Sequence, residues 1–144
     1  MPKKALVPLL LIAALALLGM GDNGLTGSDT PRTPAKNFTG TVVDRSMTTL
    51  HVSHMHCEGK TSVKGYLGEM RITLDFAKIK QVEFYPGTAG YTWGQVTFRE
   101  GEDKKLRFKS LARCYGMAEM GQVMVRVKDL KRITFDDQQP QQDQ

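Results

Sequence analysis

The sequence predicts an all-β fold: duplicated small barrel-like units of about five short strands each, merged or packed as one β domain, with an N-terminal signal helix in front. Three observations carry that expectation. The stretch Leu74–Phe84 returns 51 positions later as Val125–Phe135, and the apolar residues match one for one: Leu74/Val125, Phe76/Val127, Ile79/Leu130, Val82/Ile133 and Phe84/Phe135. Their spacing runs 2, 3, 3, 2, which is strand periodicity on either side of one short helical turn. No long stretch keeps a clean helical period, and turn clusters such as Tyr85–Gly90 and Glu100–Asp103 cut the chain into short runs.

Residues 1–21 read as an export signal. Lys3 and Lys4 form a positive start, Ala5 to Leu18 is apolar, and Gly19-Met-Gly21 offers small residues for cleavage. The competing reading is an uncleaved anchor, but an uncharged run of 17 residues interrupted by Pro8 is at the short limit for a span. No cysteine near that point could carry a lipid. Residues 22–37 hold one large apolar side chain, Leu25, and read as a flexible linker; the polar end, 138–144, reads as a disordered tail. The β domain then occupies 38–137.

Within it, Phe38 to Val43 is strand-like, with Gly40 marking a bulge or close approach. Thr48 to Val52 alternates, and Glu58 to Gly65 reads as a loop. Arg71 to Phe76 and Ile79 to Phe84 are the strands of the first matched stretch. Tyr91 to Arg99 and Lys104 to Ser110 form a hairpin about the turn Glu100–Asp103, and Gln122 to Val127 and Leu130 to Phe135 close the domain. The correspondence extends to Gly40-Thr-Val42 with Gly94-Gln-Val96 and to Leu50-His-Val52 with Leu106-Arg-Phe108. Two units, about 38–85 and 91–137, are therefore expected; each is small for independent stability.

A single turn before the last strand is a feature of small five-stranded barrels, so each unit resembles an SH3-like or Sm-like barrel. The pair Phe76-Ala-Lys-Ile-Lys-Gln-Val-Glu-Phe84 and Val127-Lys-Asp-Leu-Lys-Arg-Ile-Thr-Phe135 also resembles a set of uncharacterised secreted bacterial proteins that carry such a paired motif. That likeness implies an exported β fold and no particular activity.

Removing Lys3 and Lys4 leaves 18 Lys+Arg against 15 Asp+Glu, a charge of +3 in place of +5. The excess is scattered, which argues against a nucleic-acid partner and leaves attraction to acidic envelope polymers or lipid head groups open. Cys57 and Cys114 in an oxidising compartment suggest one disulfide, with two buried free thiols as the alternative.

All three histidines fall in His51-Val-Ser-His-Met-His-Cys57. Imidazole, thiolate and the Met55 thioether suit zinc or copper, so His51, His54 and His56 are candidate metal ligands. On an unbroken strand His54 and His56 would share a face, with His51 and Cys57 on the other; the competing reading is a polar strand end. Met70, Met117, Met120 and Met124 read as core gap-fillers. Tyr91 and Trp93 share a strand face and are candidate partner-binding residues, with Tyr66 and Tyr115 as possible additions; the ordinary reading is that Trp93 caps the core or the seam between the units. Lys78, Lys80, Lys128 and Lys131 read as charges that discourage edge pairing.

No Gly-x-Ser-x-Gly, P-loop or His-Glu-x-x-His is present. The expected function is an exported, non-enzymatic binding or assembly module of the bacterial cell envelope, without a cofactor. Its partner would be another envelope protein or polymer rather than nucleic acid, and no stable membrane span would remain after cleavage. The alternative is a periplasmic copper- or zinc-binding protein using the His51–Cys57 cluster.

Overall fold

The computed structural model describes residues 31–137 and the backbone of 141–142. The expected signal, the start of the linker and most of the tail lie outside the described residues. The strands are β1 (Lys36–Asn37), β2 (Gly40–Asp44), β3 (Thr49–Cys57), β4 (Ser62–Leu67), β5 (Met70–Asp75), β6 (Ile79–Tyr85), β7 (Tyr91–Phe98), β8 (Lys104–Lys109), β9 (Arg113–Ala118), β10 (Gly121–Arg126), β11 (Leu130–Phe135) and β12 (Gln141–Gln142). Short 3-10 turns, Phe76–Lys78 and Val127–Asp129, precede β6 and β11.

Strands β2 to β11 form one curled antiparallel sheet, half of a barrel, in the order β10-β9-β3-β2-β11-β6-β7-β8-β4-β5. The two-residue strands β1 and β12 pair with each other, joining a piece of the polar linker to a piece of the polar tail. The long order reads the same from either end once each of β2–β6 is exchanged with its counterpart in β7–β11. The seam is β11·β6, where Ile133 faces Val82. Each half of the sheet therefore takes strands from both chain segments. The half ending at β10 uses β2 and β3 with β9, β10 and β11; the other uses β7 and β8 with β4, β5 and β6.

Both matched stretches become strand, 3-10 turn, strand. Leu74, Phe76, Ile79, Val82, Phe84, Val127, Leu130, Ile133 and Phe135 are buried in one core, and Val125 packs against it. The two steps of three have different origins. The first, Phe76 to Ile79 and Val127 to Leu130, is the 3-10 turn, which in the first stretch is capped by Asp75 accepting from the Ala77 N–H at 2.9 Å. The second comes from a bulge. Ile79 and Gln81 oppose Phe98 and Thr97, and Leu130 and Arg132 oppose Asp44 and Val43, so Lys80 and Lys131 are each an extra residue. These lysines and their neighbours Lys78 and Lys128 are not guards of an edge, because β6 and β11 lie at the centre of the sheet and β5 and β10 form its edges.

Aromatic rings fill the core. Phe38 meets Phe76 edge-on at 5.6 Å, Phe76 lies 4.8 Å from Phe135, and Phe84 meets Phe108 at 5.6 Å. Two glycines let the backbone approach this packing. A side chain on Gly40, opposite Phe135, would strike the Thr134 carbonyl, and one on Gly94, opposite Phe84, would come within 2.5 Å of the Phe108 ring.

Three expectations change. The stretch read as a loop, 58–65, contains most of β4, whose inward Gly65 lies against Leu106 and Phe108 and leaves no apolar alternation to see. Strand β3 runs on past Val52 to Cys57. Met70, Met117, Met120 and Met124 do not fill the core; they are exposed on the β4–β5 and β9–β10 hairpins at the sheet edges, and among the described residues the buried methionine is Met55.

Candidate functional site

Strand alternation around the second half of the sheet turns Val82, Phe84, Gly94, Val96, Leu106 and Phe108 inward, which leaves Tyr85, Tyr91, Trp93, Lys105, Arg107 and Lys109 on the outer face. Register then lines up residues from five strands. Tyr85 opposes Trp93, Trp93 opposes Arg107, Arg107 opposes Tyr66, and Tyr66 opposes Arg71. Four inter-strand steps make this row about 19 Å long.

The row is held by ring and cation contacts. The Arg107 guanidinium lies 4.7 Å from the Tyr91 ring centre and 6.0 Å from that of Tyr66, and it donates to the Gly68 carbonyl at 2.8 Å. Lys105 stands 4.7 Å over Trp93, and Tyr66 meets Tyr91 edge-on at 5.8 Å. Such contacts fix long cationic side chains while leaving their remaining N–H groups in water. Beside the row, Glu83 accepts from the Tyr85 hydroxyl at 2.8 Å, which raises the Tyr85 pKa first through that hydrogen bond and then through the negative charge. Tyr91 and Trp93 sit together on the outer face, half-buried and outside the core cluster.

Strands β4 and β8 pair at Tyr66 and Arg107 and then part. The opening is a groove of about 420 Å³ whose lining includes Lys60, Lys64, Tyr66, Arg71, Lys109 and Leu111. Among the described residues its one carboxylate is Glu58, one oxygen of which accepts from the Arg113 N–H at 2.9 Å. Among the described residues, none of Lys60, Lys64, Arg71, Lys105, Arg107 and Lys109 makes an ion pair.

The cysteines form a disulfide, Cys57–Cys114, between directly opposed residues of β3 and β9 whose Cα atoms are 4.0 Å apart. Cys57 ends the second strand of its segment, whereas Cys114 lies inside the third strand of its own.

The histidines do not converge. A bulge between Ser53 and His56, with His54 at φ 50°, breaks the alternation that would have put His54 and His56 on one face. His51 is exposed and bonds Asp136 at 3.1 Å through Nε2. Asp136 also accepts from the Thr39 hydroxyl at 2.6 Å, and this bond first, then the one from His51, lowers its pKa. The His54 N–H donates to Asn37 at 2.7 Å. His56 is buried, stacked on Tyr115 at 5.1 Å, and its Nδ1 accepts from the Gly59 N–H. Tyr115 thus belongs to this other half of the sheet and does not extend the Tyr91–Trp93 face. Among the described residues no group of three His, Cys, Asp or Glu side chains is placed to hold a metal ion.

The arrangement defines an all-β protein built on one half-barrel sheet, with a cationic, aromatic outer face on one half. The chain belongs to a family of uncharacterised proteins, whose family model matches residues 34–138. No curated protein and no solved structure matches it.

Proposed function

We propose that the chain is an exported, non-catalytic binding module of the bacterial cell envelope that engages its partner through the outer face around Tyr91 and Trp93. The observation that carries this reading is the row Tyr85–Trp93–Arg107–Tyr66–Arg71, rings and cations assembled from five strands on the outer face, exposed at its two ends and half-buried between them. Aromatic and arginine side chains on a rigid sheet are costly surface groups that supply most of the energy where proteins bind partners. The disulfide supports an oxidising destination, and no helix among the described residues is long and apolar enough to cross a membrane. The module is favoured over metal binding because Cys57 is in a disulfide, Nδ1 of His56 is engaged, and His51 is bonded to Asp136. The mirrored strand order supports a duplication.

The test is retention of the purified protein on isolated envelope fragments. Tyr91→Ala with Trp93→Ala is expected to lower retention about tenfold, while His51→Ala on the other half leaves it unchanged. Equal retention of all three proteins removes the reading.

A further inference from the structure

We infer that the ligand of this face is an anionic polysaccharide, laid across the strands along the Tyr85–Arg71 row, with one acidic substituent entering the groove between β4 and β8. The inference rests on the reading that this face is the binding surface, and it concerns what that surface recognises.

Shape comes first. The row is about 19 Å long and one residue wide, which suits an extended chain and is wasted on a single small ion. Charge comes next. The row and groove bring together Lys60, Lys64, Arg71, Lys105, Arg107 and Lys109, none of them ion-paired among the described residues. Like charges so gathered raise one another's energy until an anion arrives, and a groove focuses their field. Against these cations the groove lining holds, among the described residues, the single carboxylate of Glu58, which is turned to the Arg113 N–H. Arg107 is held between Tyr91, Tyr66 and the Gly68 carbonyl, so little side-chain freedom is lost when its free N–H edge meets an acidic oxygen.

The same contacts separate the possible polyanions. A stacked nucleobase would have to displace Lys105 from Trp93 or Arg107 from Tyr91, giving up the cations that its phosphates need. A lipid surface favours apolar side chains protruding among the cations; Leu67, Met70 and Leu111 protrude at one end of the row, but along the row itself Tyr66, Tyr91 and Trp93 are half-buried in the sheet. A chain of sugars bearing acidic groups meets the cations at their exposed edges and the rings at their rims, and asks neither to move.

Trp93 is the sole tryptophan and reports binding by its fluorescence. The disulfide-intact protein is titrated with oligogalacturonate, with phosphorylated mannan, with neutral dextran, with phosphatidylcholine–phosphatidylglycerol vesicles and with oligothymidylate. The expected result is saturable binding of one or both acidic glycans, weakened by salt, with dextran at least tenfold weaker. Which acidic glycan binds distinguishes carboxylate from phosphate as the recognised group. Arg107→Ala and Arg71→Ala should each weaken that binding about tenfold, and Lys64→Ala with Lys109→Ala should do the same. Unchanged thermal midpoints will show that these surface variants still fold. Failure of both acidic glycans to bind, dextran binding as well as either, or preference for vesicles or oligothymidylate overturns the inference. If envelope retention still depends on Trp93 in that case, the face stands and its ligand is wrong; if retention ignores Trp93, the face itself is lost.

Discussion

His56 is 2 % exposed, stacked on Tyr115, with Nδ1 accepting the Gly59 N–H at 3.2 Å. That bond requires the neutral ring with its proton on Nε2, and burial lowers the His56 pKa below its ordinary 6.5. The unfolded chain therefore takes up a proton first as the pH falls. The stability His56 contributes is complete above pH 6.5 and is lost as the pH drops from there toward its folded pKa. Thermal midpoints measured from pH 7.5 to pH 5 should fall about this window. In His56→Phe that part of the fall should vanish, while stability at neutral pH drops by about 1–3 kcal/mol because the Gly59 N–H loses its acceptor. An unchanged pH profile in His56→Phe would refute the assignment. The same residue shows what sequence reasoning missed. Plain alternation puts His54 and His56 on one face, but the bulge at His54 resets the alternation, and a positive φ at a histidine leaves no mark in the residue pattern. Tyr91 and Trp93 were legible because simple alternation puts them outward.

Among elements, the seam between β3 and β9 joins strands far apart in the chain, and the disulfide lies across it with a sequence separation of 57. On the chain-entropy model, closing a loop of that length stabilises the fold by about 4 kcal/mol. Cys57→Ser with Cys114→Ser should lose about that much in urea unfolding at constant pH. A loss below about 1 kcal/mol would mean that the seam is held by packing, with the loop constraint offset by structure in the unfolded chain. The strand–turn–strand elements were legible in detail because each is local and its burial alternates. Strand β4 was not, because Gly65 faces the core without a side chain, and neither was β9, in which Cys114, Tyr115 and Gly116 are all buried. Arg71 and Arg107 escaped the sequence reading for another reason: only the register of β7, β8, β4 and β5 brings them, and Tyr66 with them, into line with Trp93.

At the scale of the whole molecule, the mirrored strand order decides what can fold alone. Within 38–85, β2 pairs with β3 and β4 pairs with β5, but β6 pairs with β7 and β11, β3 with β9, β2 also with β11, and β4 also with β8. A fragment ending at Tyr85 thus keeps two hairpins and loses every contact that joins them into a sheet. Isolated hairpins are marginal in water, and the core rings are divided as well, Phe38 and Phe76 on one fragment and Phe135 on the other. Fragments 31–88 and 89–144, prepared separately, should each give unfolded spectra in circular dichroism and poor amide dispersion. Mixed under conditions that allow Cys57 to oxidise with Cys114, they should associate one to one and recover the β signal, since the exchanged strands need proximity and not continuity between Tyr85 and Tyr91. A fragment that instead folded alone as a monomer would have to close its sheet by pairing β6 with β2 and β3 with β4, contacts absent from the ladder pairings of the intact chain. That result would make the exchange of strands a choice between two closures of similar energy, and the covalent link between the segments would be what decides it.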